Sequence, residues 1–172
     1  KGKTYFGAKI IPSRGAWVEI ESESDGAIYV KIDRKRKFTV TSLLRVLGAR
    51  FDKDMYSLLS SNPHAKSVLA ATLAKDPAKS VEESYVEIHK KLRDGDLATP
   101  ENAKEYIDSI FSPERYDLSR VGRYRFSQRF DRSLDEKELA RRTISLDDLA
   151  QVVSNIVSLN ATPGAEADDI DH

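Results

Sequence analysis

AWVEIESESDGAIYVKI, residues 16–32, alternates with a period of two. Ala16, Val18 and Ile20 fall on one face, and Trp17, Glu19 and Glu21 on the other. Ile28, Val30 and Ile32 resume the pattern beyond a turn at Ser24-Asp25-Gly26. Successive side chains of a strand point to opposite faces, so this stretch predicts a half-buried β-hairpin. Upstream, Tyr5 to Ile11 predicts another strand, closed by Pro12-Ser13-Arg14-Gly15, and Phe38-Thr39-Val40 predicts a short one downstream. Together they make a small N-terminal antiparallel sheet.

From Thr41 the period changes to that of a helix, starting with Leu43, Leu44 and Leu47, and Gly48 stands where a helix ends. Short helices are expected at Asp52 to Leu59 and His64 to Ala74, split by Asn62-Pro63. Ser80 with Glu83 forms a capping box for a longer helix with an apolar stripe of Val81, Tyr85, Ile88 and Leu92. Thr99 and Pro100 start another, with Ala103, Ile107, Ile110 and Phe111 inward. After a basic aromatic stretch, Ser133 with Glu136 reads as a further capping box. Ser145 opens a last helix whose inner face is Leu149, Val152, Val153, Ile156 and Val157. The expected fold is α+β, one domain over residues 1–172: residues 1–40 mainly sheet, 41–164 predominantly helical, and 165–172 an acidic segment.

The 172 residues contain no cysteine, which removes disulfides, thiolate zinc sites and cysteine nucleophiles and fits a reducing, cytoplasmic setting. No apolar run reaches the roughly 18–20 residues of a membrane span, so no membrane partner is expected. A start without Met and an end at Asp168-Asp169-Ile170-Asp171-His172 predict a piece of a longer chain. Glycine-rich phosphate loops, His-Glu-x-x-His and Gly-x-Ser-x-Gly are missing, and no residue is a candidate catalyst. His64 and His89 read as solvated surface histidines. The terminal aspartates with His172 offer hard ligands for Mg²⁺ and phosphoryl chemistry, but nothing before them builds a strand to hold them, and a solvated tail is the plainer reading.

Charge says more. Lys plus Arg and Asp plus Glu balance at 28 each, yet Lys31, Arg34, Lys35, Arg36, Lys37, Arg45 and Arg50 face Asp33 alone between residues 29 and 50, a local +6. Between residues 112 and 132, six arginines face Glu114, Asp117 and Asp131, with Tyr116, Tyr124, Phe126 and Phe130 interleaved, a local +3. Such surfaces attract phosphate backbones; the alternative for the second is a solvated face snorkelling around core aromatics. Trp17, the one tryptophan, alternates onto the face of Glu19 and Glu21, beside the Arg14-Gly15 turn. It either stacks on a base or is covered by a helix as ordinary core.

AKIIPSRGAW (residues 8–17), VKIDRKRK (30–37) and LLRVLG (43–48) closely resemble the lobe of the β subunit of bacterial DNA-directed RNA polymerase. Arg115-Tyr116-Asp117-Leu118-Ser119 with Val121-Gly122-Arg123, and the terminal Asp168-Asp169-Ile170-Asp171-His172, resemble later motifs of the same subunit in the same order. The resemblance implies a non-catalytic jaw of the cleft that holds downstream duplex and the displaced non-template strand. It implies no cofactor here, the catalytic Mg²⁺ being held by another subunit. Implied partners are DNA, the rest of β with β′, α and ω, sigma factor and a NusG-type elongation factor, in the bacterial nucleoid. By resemblance, Trp17 stacks on an unpaired non-template base beside Arg14. Asp33, Arg34, Arg36, Lys37 and Arg115 lie along the DNA channel, and Ile170 and Asp171 line a guanine pocket. The loop from Arg93 to Pro100, with Arg93, Asp94, Gly95 and Asp96, resembles the gate loop, though more acidic and less proline-rich than in many relatives. The chain ends before other segments of the guanine pocket, which predicts little base specificity. Two further readings stand beside this one: a protein-interaction platform that meets nucleic acid only in the assembled enzyme, and a Mg²⁺-dependent phosphotransferase using the terminal aspartates.

Overall fold

A computed structural model describes residues 5–165. Four strands form one antiparallel meander: β1 (Gly7–Ile10), β2 (Val18–Ser22), β3 (Ile28–Ile32) and β4 (Phe38–Thr39), paired in that order. The register sets Val18 opposite Ile32, Ile20 opposite Val30 and Ser22 opposite Ile28. One face is therefore continuously apolar, and Val18, Ile20, Ile28, Val30 and Ile32 are all buried. The other face carries Lys9, Glu19, Glu21 and Lys31 as cross-strand charge pairs. β1 is shorter than the predicted Tyr5 to Ile11.

Eight helices follow among the described residues: α1 (Val40–Leu47), α2 (Asp52–Leu58), α3 (Ala65–Lys75), α4 (Val81–Leu92), α5 (Pro100–Ile110), α6 (Ser119–Arg129), α7 (Glu136–Leu139) and α8 (Leu146–Ala161). α1 leaves β4 directly and stops at Gly48, whose φ of 138° suits glycine and whose N–H donates to the carbonyls of Arg45 and Leu44. Ser80 Oγ accepts from Glu83 N–H and Thr99 Oγ1 from Asn102 N–H, satisfying donors that a helix start leaves open. Glu83 returns its own bond to Lys79 N–H, one residue before the cap. At α8 the box closes in full, Ser145 N–H donating to Asp148.

Leu43, Leu44, Ile88, Ile107, Leu149, Val153 and Ile156 join the buried sheet face in one apolar cluster running from Phe6 to Val157. Full burial of each aliphatic side chain contributes about 1.5–3 kcal/mol.

Three sequence expectations need correction. His89 is buried, edge-on to Tyr106 with ring centroids 5.3 Å apart, because α4 turns it inward with Tyr85, Ile88 and Leu92. The cap of α7 is Asp135, which accepts from Glu138 N–H, while Ser133 Oγ accepts only from Asp135 N–H. Most of the basic aromatic stretch is helix α6, invisible to hydrophobic periodicity because the residues it buries are Arg123 and Ser127.

Candidate nucleic-acid interface

At one end of the sheet the β1–β2 loop, the β3–β4 turn and the segment before α6 come together. Arg14 N–H donates to Asp117 O at 3.0 Å, and Asp117 N–H donates to Arg14 O at 2.8 Å. Gly15 permits the contact: its φ is +118°, and a Cβ there would lie 2.8 Å from Tyr116 Cδ2 and 2.9 Å from Arg115 O. Arg14 and Arg115, 101 positions apart in sequence, are thereby brought to one rim. The Arg14 guanidinium donates to Pro113 O at 3.0 Å, and that of Arg115 to Ser109 Oγ at 3.4 Å. Asp117 is fixed from behind by Arg142, which donates at 2.8 and 2.6 Å, and its carboxylate also accepts from Ser119 N–H. The bond from Arg142 holds the Asp117 carboxyl below the usual carboxylate range. Burial pushes the Tyr116 phenol upward, so that ring stays neutral beneath the rim.

The second feature is built on Trp17. Its carbonyl accepts from Asp33 N–H at 2.9 Å, and Lys35 N–H donates to Ile32 O at 3.1 Å to close a turn. Asp33 and Arg34 occupy that turn at φ of 57° and 59°. Positive φ at both central positions is the type I′ geometry that Asn-Gly suits best, and a residue such as Arg pays about 1–2 kcal/mol to adopt it. The turn sets the Arg34 guanidinium 4.5 Å from the centroid of the Trp17 ring. Trp17 is half-buried and takes no part in the apolar cluster, so it is not ordinary core. An indole with a guanidinium against it offers a stacking surface and a phosphate-seeking cation side by side.

Pairing reduces the first basic patch well below its nominal charge. Lys31 lies 3.5 Å from Glu21, Arg36 donates to Asp94 at 3.1 Å, and Lys37 donates to both oxygens of Glu23 at 2.6 and 2.7 Å. The Lys37 ammonium also sits 4.4 Å from the Tyr29 ring. The Tyr29 phenol is pushed up to about 12 by burial and by its bond to Asp25. Arg45 is buried: it donates to Asp76 at 2.8 Å and Ser84 Oγ at 3.1 Å, while Thr41 and Ser42 complete the Asp76 carboxylate. Arg34 and Lys35, exposed at the turn, make no ion pair within 4 Å among the described residues, and neither do Arg14 and Arg115, though Arg14 adds to the field that lowers the Asp117 carboxyl.

The second basic stretch is largely a structural network. Arg123, 0% exposed, donates to the two Asp148 oxygens at 2.8 and 2.7 Å, to Thr143 O at 2.9 Å and to Arg141 O. Arg132 donates to Asp148 at 2.7 Å and lies 3.4 Å from Glu138, which also pairs with Arg141 at 2.8 Å. Arg120 pairs with Glu136 at 2.7 Å. Burial by itself pushes the Asp148 carboxyl up, but the bonds from Arg123 and Arg132 hold it below the usual range.

The Arg93 to Pro100 loop projects from the end of α4. Arg93 closes it through Asp96 at 2.9 Å and sits 5.3 Å from the Tyr106 ring, Gly95 turns it at φ +90°, and Leu97 is 100% exposed. Asp94 and Arg36, assigned by resemblance to different partners, meet each other. Ile170, Asp171 and the terminal aspartates lie outside the described residues. Among the described residues no group of three His, Asp or Glu side chains could hold a metal ion, and no helix is long and apolar enough to cross a membrane. Sequence reasoning did not single out Lys35, nor the ties from Asp117 to Arg14 and Arg142. No local signal marks them, because each depends on which distant groups arrive.

Residues 3–172 match the family model described as RNA polymerase Rpb2, domain 2. The chain is 46% identical over 129 residues to the DNA-directed RNA polymerase subunit beta of Alkaliphilus oremlandii and to that of Clostridioides difficile, each match covering 74% of this chain and 10% of the relative. It is 44% identical over 129 residues to the same subunit of an Exiguobacterium species, covering 74% of this chain and 11% of that one. Each match thus spans about a tenth of the relative's length. Taken with the four-stranded meander and helical body, these matches show that the chain belongs to the RNA polymerase Rpb2 domain 2 family, as a lobe of the bacterial-type β subunit.

Proposed function

We propose that this chain lines the downstream DNA channel of an RNA polymerase and contacts the non-template strand, performing no chemistry of its own. Its partners under this reading are downstream duplex, the displaced strand, the rest of β with β′, α and ω, and sigma factor, in the bacterial cytoplasm at the nucleoid. The catalytic Mg²⁺ belongs to another subunit. The observation that carries the reading is the Trp17–Arg34 pair: a half-buried indole outside the core, with a guanidinium 4.5 Å from its centroid on a turn of two positive-φ residues. Backbone strain of this kind persists only where the surroundings enforce it, and it is concentrated at functional sites.

The test uses polymerase assembled with the full β subunit and a forked DNA carrying 2-aminopurine at the unpaired non-template position. Stacking on one aromatic side chain contributes about 1–3 kcal/mol, so Trp17→Ala is expected to weaken binding by roughly 5- to 150-fold and to restore the probe's fluorescence. Unchanged affinity and unchanged quenching would refute the reading.

The interaction-platform reading is favoured by one feature, the wholly exposed Leu97 on the Arg93 to Pro100 loop, next to the Arg93–Asp96 ion pair. An apolar side chain fully exposed beside that ion pair suits docking of a NusG-type factor. Leu97→Asp should then weaken factor binding, while Trp17→Ala leaves it intact.

A further inference from the structure

A wall that holds DNA by its phosphates needs cations that no carboxylate has already claimed. The run Arg34-Lys35-Arg36-Lys37 looks uniform in sequence, but the fold divides it. Lys37 is held between both Glu23 oxygens and the Tyr29 ring, and Arg36 is held by Asp94. For either to meet a phosphate, it must release a carboxylate, and exchanging one anionic partner for another frees little of the condensed counterion that drives such binding. Lys35 differs. Its backbone is fixed, because its N–H closes the turn onto Ile32 O, while its side chain is exposed and has no carboxylate partner among the described residues. Arg14 and Arg115 donate to neutral acceptors, Pro113 O and Ser109 Oγ, and neither makes an ion pair among the described residues, although the charge of Arg14 helps lower the Asp117 carboxyl that Arg142 holds.

On the channel reading above, we propose that Lys35, with Arg14, Arg34 and Arg115, supplies the phosphate contacts of this face, and that Arg36 and Lys37 serve the fold instead. The recognised chemistry is the phosphodiester backbone of a nucleic-acid strand whose base reaches Trp17. Phosphate contacts of this kind position a strand without reading its sequence.

Salt dependence separates the two classes of cation. In polymerase assembled with the full β subunit, log K for forked DNA is measured against log[salt]. Lys35→Ala is expected to lower the slope by about 0.7–0.9, the contribution of one neutralised phosphate, while Lys37→Ala leaves it unchanged. Glu23→Gln keeps the hydrogen-bonding shape but removes the claim on Lys37, and is expected to raise the slope by a similar amount. A fall with Lys37→Ala, or no fall with Lys35→Ala, overturns the assignment. If Lys35→Ala is silent while Trp17→Ala still weakens binding, the assignment fails and the channel reading stands. If Trp17→Ala is silent as well, the channel reading fails with it.

Discussion

The turn at residues 33–37 and helix α6 carry four basic residues each, yet Arg34 and Arg123 are used in opposite ways. Arg34 stands exposed on a positive-φ turn with only an indole beside it. Arg123 is fully buried, its guanidinium shared among Asp148, Thr143 O and Arg141 O. Taking a guanidinium out of water is tolerable only when ionic and hydrogen-bonding partners replace the hydration it loses. Around α6, α7 and α8 supply Glu138 and Asp148, whereas no carboxylate forms an ion pair with Arg34 or Lys35 among the described residues. A count of positive charge therefore overstates the surface available to an anion, and the first basic patch shrinks mainly to the turn.

Removing the acid from the buried network is the most severe test of this contrast. Asp148→Ala leaves Arg123 buried without its main partner and is expected to cost about 3–5 kcal/mol in urea denaturation of the chain. A loss below about 1 kcal/mol, the scale of a surface pair, would place Arg123 with the surface cations. Asp148 and Glu138 are both held below the usual carboxylate range; burial opposes this, and hydrogen bonds from Arg123 and from Ser127 and Arg141 prevail. A depressed folded value means the contribution is complete above the unfolded carboxylate range of about 4 and is lost as pH falls through the folded values. Asp148→Asn should accordingly flatten the acid limb of a stability–pH profile.

An intermediate effect is expected at the turn. Arg34→Ala keeps the unfavourable φ and loses the indole contact, whereas Arg34→Gly loses the contact but relieves the backbone. The glycine variant should be the more stable by about 1 kcal/mol, and both should alter Trp17 emission. Equal stability would mean that the turn carries no strain. The smallest effect belongs to Arg36 and Asp94, whose side chains are 54% and 73% exposed. A double-mutant cycle should give a coupling of about 0.2–1 kcal/mol, fading with added salt. A coupling near that of the buried network would dissolve the distinction between the two regions.

Local patterns were the legible part of the fold. The hairpin, α1 with Gly48, and the caps at Ser80, Thr99 and Ser145 all depend on residues within a few positions of each other. α6 was not legible because its inward residues are polar, and Asp135 and Ser133 each precede an acid by three positions, leaving two caps that only the chain path distinguishes. At the candidate interface, alternation put Trp17 off the apolar face but left open whether another element covers it; the structure leaves it half-buried and outside the apolar cluster. The division among the cations was not, since Glu23 lies 14 positions from Lys37, Asp94 58 from Arg36, and Asp148 25 from Arg123.

From its residues alone, then, this chain specified a small antiparallel sheet leading into a helical body, an aromatic off the core face, and the β-subunit lobe to which its motifs belong. The sheet, the helices and the off-face aromatic follow from short-range sterics, alternation and capping, which act between near neighbours, while the lobe is implied by the resemblance of its motifs. Which positive charges stay outside ion pairs among the described residues emerged only on folding. Coulombic pairing depends on distance in space, and the carboxylates that claim Arg36, Lys37 and Arg123 reach them only through the tertiary contacts of the turn, the α4–α5 loop and α8.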